Sequence, residues 1–164
     1  EEAYLTAEIQ RLITLLGMKT AVWNIEVRVA KNNKPYIMEC TPRGGGNRLC
    51  EMLRYATGVD LITAITRAAV GDDPDTIEQK PYNGHWAEVI LHADKDGEFA
   101  GLQVDPSLPA EVVERDLWVK PGDQVHSFEG ANDAIGTLVL RFENAEDLEE
   151  AMANIGAWCK VMVR

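Results

Sequence analysis

Two glutamates, Glu26 and Glu39, lie either side of a polar turn, and Arg43 follows shortly after the second. Around Glu26, the residues Trp23, Ile25, Val27 and Val29 alternate with Asn24, Glu26, Arg28 and Ala30, the period-two pattern of a strand with one apolar face. Lys31-Asn32-Asn33-Lys34 reads as a turn, and Pro35 to Thr41 as the returning strand. With Asn32-Asn33 as a two-residue turn, Glu26 faces Glu39 and Asn24 faces Thr41. Opposed side chains have Cβ atoms about 4.5–5.5 Å apart, and like charges so placed are destabilising. A cation between them reverses the sign. Mg²⁺, at about 2.0–2.1 Å from each oxygen, suits two carboxylates together with the phosphates of a nucleotide. The alternative is a shared proton, which raises one pKa.

Arg43 falls on the same side as Thr41 if the extended chain continues through Pro42. Its planar fork would then meet phosphate or carboxylate oxygens near the metal. Gly44-Gly45-Gly46 would let the backbone approach a ligand closely. Asn47 is expected to cap a helix whose first N–H groups favour an anion. Gly45, Asn47 and Arg48 are accordingly candidate substrate contacts. On spacing alone, a solvated hairpin face followed by an ordinary glycine turn fits the same residues.

The elements that must carry these residues are legible in outline. Leu5, Ile9, Leu12, Ile13 and Leu16 recur at helical spacing, which predicts a helix over 2–16 ended by Gly17. A helix from Asn47 to Gly58 and a second, capped by Asp60 and closed by Gly71, follow the glycine turn. Gly71-Asp72-Asp73-Pro74-Asp75 reads as a boundary between a first domain, 1–75, and a second, 81–164. In the second, strands are expected near 86–92, 99–104, 112–119 and 135–142, then a helix near 145–157 and a last strand at 159–163.

The chain has 164 residues, 46% apolar and 26% charged, the proportions of a globular protein. Its net charge is −11, unevenly spread: residues 1–80 carry 10 basic and 11 acidic side chains, residues 81–164 carry 6 and 16. Such acidity argues against nonspecific nucleic-acid binding and against docking on anionic membranes. The chemistry is expected in the near-neutral first half. Cys40, Cys50 and Cys159 show no C-x-x-C spacing and His85, His92 and His126 are scattered, so reduced thiols of a cytoplasmic protein are expected rather than a zinc site or disulfides. The sequence begins at Glu1 without a Met and has no run of 18 apolar residues, which leaves a processed terminus or a piece of a longer protein.

Asn24-Ile25-Glu26-Val27, then Ile37-Met38-Glu39-Cys40-Thr41-Pro42-Arg43, then Ala56-Thr57-Gly58-Val59-Asp60-Leu61 together resemble the C-terminal half of an ATP-grasp domain. The resemblance is to the carbamoyl-phosphate synthetase, biotin carboxylase and amino-acid ligase branch. It implies an α+β fold: a C-terminal ATP-grasp lobe, antiparallel sheet with helices, followed by a smaller β-rich α+β module. It implies that Glu26 and Glu39 bind Mg²⁺, or Mn²⁺ in its place, under the phosphates of ATP, with Asn24 beside them. By the same resemblance Arg43 faces the transferred phosphate and is the catalytic residue. Thr41 stands where the motif has Asn, and a hydroxyl is the poorer ligand there. The implied reaction joins a small-molecule carboxylate to an amine or ammonia through an acyl-phosphate, with a homo-oligomer left open. The family's lysine-bearing strands and Gly-rich lid have no counterpart before Asn24, so a fragment inactive by itself is expected. A noncatalytic binding or interaction domain is the other reading. Carboxylation through carboxyphosphate is a third, although no A-M-K-M carrier motif occurs.

Overall fold

A computed structural model describes residues 2–19, 21–73, 77–78 and 80–164. The chain divides into two compact units, one of residues 1–54 and 58–79, the other of 55–57 and 80–164. Part of the expected boundary segment, Pro74 and Asp75, lies outside the described residues.

The first unit begins with α1 (Glu2–Leu15). Gly17, at φ 63°, ends it as the pattern predicts. The N–H of Gly17 bonds to Thr14 O at 3.1 Å and that of Met18 to Ile13 O at 3.1 Å, so two terminal carbonyls are satisfied. Next, β1 (Asn24–Val29) and β2 (Pro35–Thr41) form a two-stranded antiparallel hairpin. Two helices follow, α2 (Leu49–Thr57) and α3 (Leu61–Ala69). Gly58, at φ 76°, closes α2 by donating to Arg54 O. Asp60 caps α3 by accepting from the Thr63 N–H at 2.9 Å, as its position predicts. Among the described residues of this unit only Pro35 and Cys50 are fully buried, so its apolar side chains are covered only in part.

The second unit holds the larger core. β3 (His85–His92), β7 (Ala134–Phe142) and β5 (Glu111–Leu117) make one antiparallel sheet in that order. β6 (Gln124–Val125), β4 (Gly97–Val104) and β8 (Cys159–Val163) make the other. The apolar run of β7 is central and buried on both faces. Leu138, Leu140 and Phe142 pack with Phe99, Val125, Ala151 and Cys159. Gly136, at φ 157°, sits where any Cβ would strike the backbone oxygen of Asp116, so the close β5–β7 pairing requires it.

The expected helix over 145–157 is two, α4 (Ala145–Ala153) and α5 (Ile155–Trp158). Asn154 interrupts them at φ −129°, outside the helical range. β6, only two residues long, carries no readable period. Among the described residues no helix is long and apolar enough to cross a membrane.

Candidate functional site: an acidic hairpin and its glycine loop

The hairpin turn is one residue longer than the spacing predicts. Ala30 N–H bonds to Lys34 O at 3.0 Å, leaving Lys31, Asn32 and Asn33 in the loop. Asn33 takes the left-handed conformation at φ 59°, which Asn tolerates better than most residues. From this turn the ladder runs Val29–Pro35, Arg28–Tyr36, Val27–Ile37, a register that would carry Glu39 to the apolar face. A bulge at Met38 inserts one unpaired residue and restores the alternation. Glu26 consequently pairs with Glu39, Ile25 with Cys40 and Asn24 with Thr41. The predicted pairing is right although the predicted turn is not.

Both glutamates are exposed, and Asn24 and Thr41 are half-buried. Neither the Glu26 nor the Glu39 carboxylate forms an ion pair or hydrogen bond with another described residue. Among the described residues, the repulsion between them therefore has no ion-paired cation to offset it. Among the described residues, no group of three or more His, Cys, Asp or Glu is placed to hold a metal. Two carboxylates are a fit for Mg²⁺ all the same, because that ion keeps most of its shell as water and phosphate oxygen. The Thr41 hydroxyl donates to Asn24 O at 3.3 Å. Its lone pairs remain for a ligand, but its proton braces the open end of the hairpin.

Beyond Thr41 the chain no longer alternates. Arg43 N–H donates to Thr41 O at 2.9 Å, a tight turn around Pro42 whose fixed φ suits it. The strand-alternation argument for the side of Arg43 therefore lapses at Pro42. Arg43 is exposed, and its guanidinium donates to Gly44 O at 2.7 Å, so the fork is tied to its own loop.

The glycines meet the protein more closely than open solvent. A Cβ at Gly44 would collide with Cys50 Sγ, and one at Gly45 with the Leu49 side chain, whereas Gly46 has open space. The loop thus lies flat on the first turn of α2. Asn47 does not cap that helix: it sits at φ 53°, and α2 starts after Arg48 without a side-chain cap. A left-handed residue cannot take the extended backbone of a capping position. Arg48 is half-buried and its Nε lies 3.4 Å from Glu51 Oε1 one turn along α2.

Sequence reasoning passed over one feature of this hairpin. Arg28, Val29, Ala30, Lys31, Tyr36 and Met38 line a shallow groove at its tip, and Lys34 Nζ lies 5.4 Å from the centre of the Tyr36 ring. The signal was there to read: no acid occurs between Glu26 and Glu39, while Arg28, Lys31 and Lys34 do.

Comparison with known proteins gives the fold. No protein-family profile matches the chain. The uncharacterized protein y4rH of Sinorhizobium fredii is 28% identical over 134 residues, covering 80% of this chain and 27% of its own length. Phosphoribosylglycinamide synthetase from Anaerococcus prevotii matches 96% of the chain at TM-score 0.76 and 22% identity, using 41% of its own. L-amino acid ligase from Bacillus licheniformis matches 98% at TM-score 0.76 and 14% identity, using 40%. The biotin carboxylase domain of Hydrogenobacter thermophilus 2-oxoglutarate carboxylase, solved with MgADP, ADP and bicarbonate, matches 98% at TM-score 0.68 and 15% identity, using 36%. The chain spans about a quarter of the curated relative and about two fifths of these structures. It has the fold of part of an ATP-grasp enzyme, with antiparallel sheets and helices as the motifs implied.

Proposed function

We propose that this chain is the metal-binding part of an ATP-dependent carboxylate–amine ligase that works through an acyl-phosphate. One observation carries the reading: Glu26 stands opposite Glu39, neither carboxylate ion-paired among the described residues, on a hairpin that spends a bulge to put them there. The ATP-grasp fold makes Mg²⁺ with ATP phosphates the cation that fits.

In this reading Glu26 and Glu39 hold Mg²⁺, which neutralises phosphate charge when bound, and Asn24 and Thr41 flank them. Arg43, freed from Gly44 O, turns its fork to the transferred phosphoryl group. The substrate carboxylate oxygen attacks the γ-phosphorus and ADP leaves. The amine or ammonia then attacks the acyl carbon, and phosphate departs with the carboxylate oxygen. Catalysis of this kind rests on positioning and charge rather than on a protein nucleophile. None of the cysteines is needed, and burial pushes the Cys159 thiol up, away from a reactive thiolate. Gly45, Asn47 and Arg48 remain candidates for the substrate side, with Gly45 and Arg48 already engaged in packing against α2.

The test uses the full-length protein with a panel of carboxylates and amines, one carboxylate bearing ¹⁸O. The reading expects ADP release that depends on both substrates and one ¹⁸O atom transferred to phosphate. Absence of any ATP-dependent condensation, with fold intact, would leave the noncatalytic interaction domain in its place.

A further inference from the structure

Positive charge gathers at the tip of the β1–β2 hairpin. Arg28, Lys31 and Lys34 are three of the 16 basic side chains and fall within seven residues, whereas the rest of the chain carries 13 basic and 27 acidic ones. Among the described residues, neither Arg28 nor Lys31 forms an ion pair, with Glu26 and Glu39 or with any other acid. The Lys34 ammonium lies instead over the Tyr36 ring, 5.4 Å from its centre, a cation–π contact.

Beside these charges the tip exposes apolar surface. Val29, Tyr36 and Met38 are 53%, 46% and 58% exposed, and with Arg28, Ala30 and Lys31 they line the groove. Arg28 stands opposite Tyr36 in the ladder, so both side chains rise from one face. The turn that joins them is preformed. Asn33 N–H donates to Ala30 O at 2.8 Å and Lys34 N–H to Asn32 Oδ1 at 3.1 Å, beside the Ala30–Lys34 bond. A preformed surface loses little freedom on binding. Adjoining exposed apolar side chains rimmed by charge mark interaction surfaces, and Tyr, Met and Arg are enriched in them.

Charge selects the occupant. A cationic tip attracts a short run of carboxylates. A nucleic acid or an anionic membrane would bring its extended charge up to a chain of net −11 and be repelled. We propose that the hairpin tip is a docking surface for an acidic polypeptide segment. An apolar side chain of that segment enters the groove against Val29, Tyr36 and Met38, and flanking carboxylates meet Arg28 and Lys31. Arg28 takes a carboxylate with its planar fork, Lys31 as a point charge. This surface does not depend on whether Glu26 and Glu39 hold a metal.

The experiment uses the full-length protein and two fluorescein-labelled peptides, one Leu flanked by glutamates and the same Leu flanked by glutamines. Fluorescence anisotropy is expected to show binding of the Glu peptide that weakens as salt is raised, and no binding of the Gln peptide at the same concentrations. Arg28→Gln and Lys31→Gln should each weaken it by about fivefold, the upper end for one exposed ion pair. Both positions are exposed, so neither change threatens the fold. Tyr36→Ala should weaken it by about tenfold, as for truncation of an anchoring side chain. Lys95→Gln, which removes an equal charge from the turn between β3 and β4, should bind as wild type. No binding of the Glu peptide, or equal losses in Lys95→Gln and the tip variants, would overturn the proposal. So would tighter binding of a single-stranded oligonucleotide through the same residues, which would assign the tip to nucleic acid. Weaker MgADP binding in Lys31→Gln with the peptide unaffected would overturn it too, and assign the tip to the nucleotide.

Discussion

Glu26 stands opposite Glu39 because two irregularities cancel: a three-residue turn shifts the hairpin register by one, and the bulge at Met38 shifts it back. Two exposed carboxylates held face to face, with no ion pair to either among the described residues, are a local cost in the free protein. A ligand cation turns that cost into affinity.

Replacing Glu39 by Gln removes the repulsion and half of the site. The unfolding midpoint without Mg²⁺ should stay equal to wild type or rise slightly, as for other surface substitutions within about 0.5 kcal/mol. Millimolar Mg²⁺ with ADP should raise the wild-type midpoint and leave that of Glu39→Gln unmoved. Thermal unfolding of the full-length protein with and without the ion reads both.

Arg43→Lys keeps a charge and loses the fork. A loss of about 10²-fold or more in kcat is expected, as for removal of one preorganised donor at a developing charge. KM for ATP should change little. A raised KM for ATP with kcat unchanged would mean that Arg43 only binds the nucleotide.

The hairpin pairing, the Gly17 and Gly58 helix ends and the Asp60 cap were legible because each depends on residues within a few positions. The turn length was not: Asn32-Asn33 suits a two-residue turn, and the bond from Ala30 N–H to Lys34 O shows that a third residue was drawn in. Asn47 misled for a related reason. Asn serves both as a cap and as a left-handed residue, and packing of Gly44 and Gly45 against α2 selects the second role. The bond of Tyr55 to Glu114 and its stack on Trp86 were invisible for a different one. These partners are distant in sequence, and no local pattern announces a stack across that separation.

Gly44→Ala should destabilise the first unit by about 1–3 kcal/mol, the cost of overpacking, because its methyl group meets the buried Cys50 sulfur. Cys50→Ala makes room for it, so the double variant should be more stable than the sum of the two single changes. Urea unfolding of the four proteins gives the coupling directly.

The hydrogen bonds from Thr63 hold the Asp60 carboxyl below its ordinary range. Its contribution to α3 is therefore present above the unfolded-state pKa and lost as pH falls through the lower folded-state value. Asp60→Asn keeps the cap acceptor without the charge. Its unfolding midpoint should be flatter than that of wild type across that acidic window, and the two should run parallel at higher pH.

In the proposed function, Glu26 and Glu39 together hold the metal under a nucleotide. Binding of Mn²⁺ to the full-length protein in the presence of ADP, followed by its electron spin resonance signal, tests it most directly. One nucleotide-dependent site is expected in wild type, strongly weakened in Glu26→Gln and in Glu39→Gln, and no further weakened when both are changed. Undiminished Mn²⁺ affinity in the double variant would contradict it.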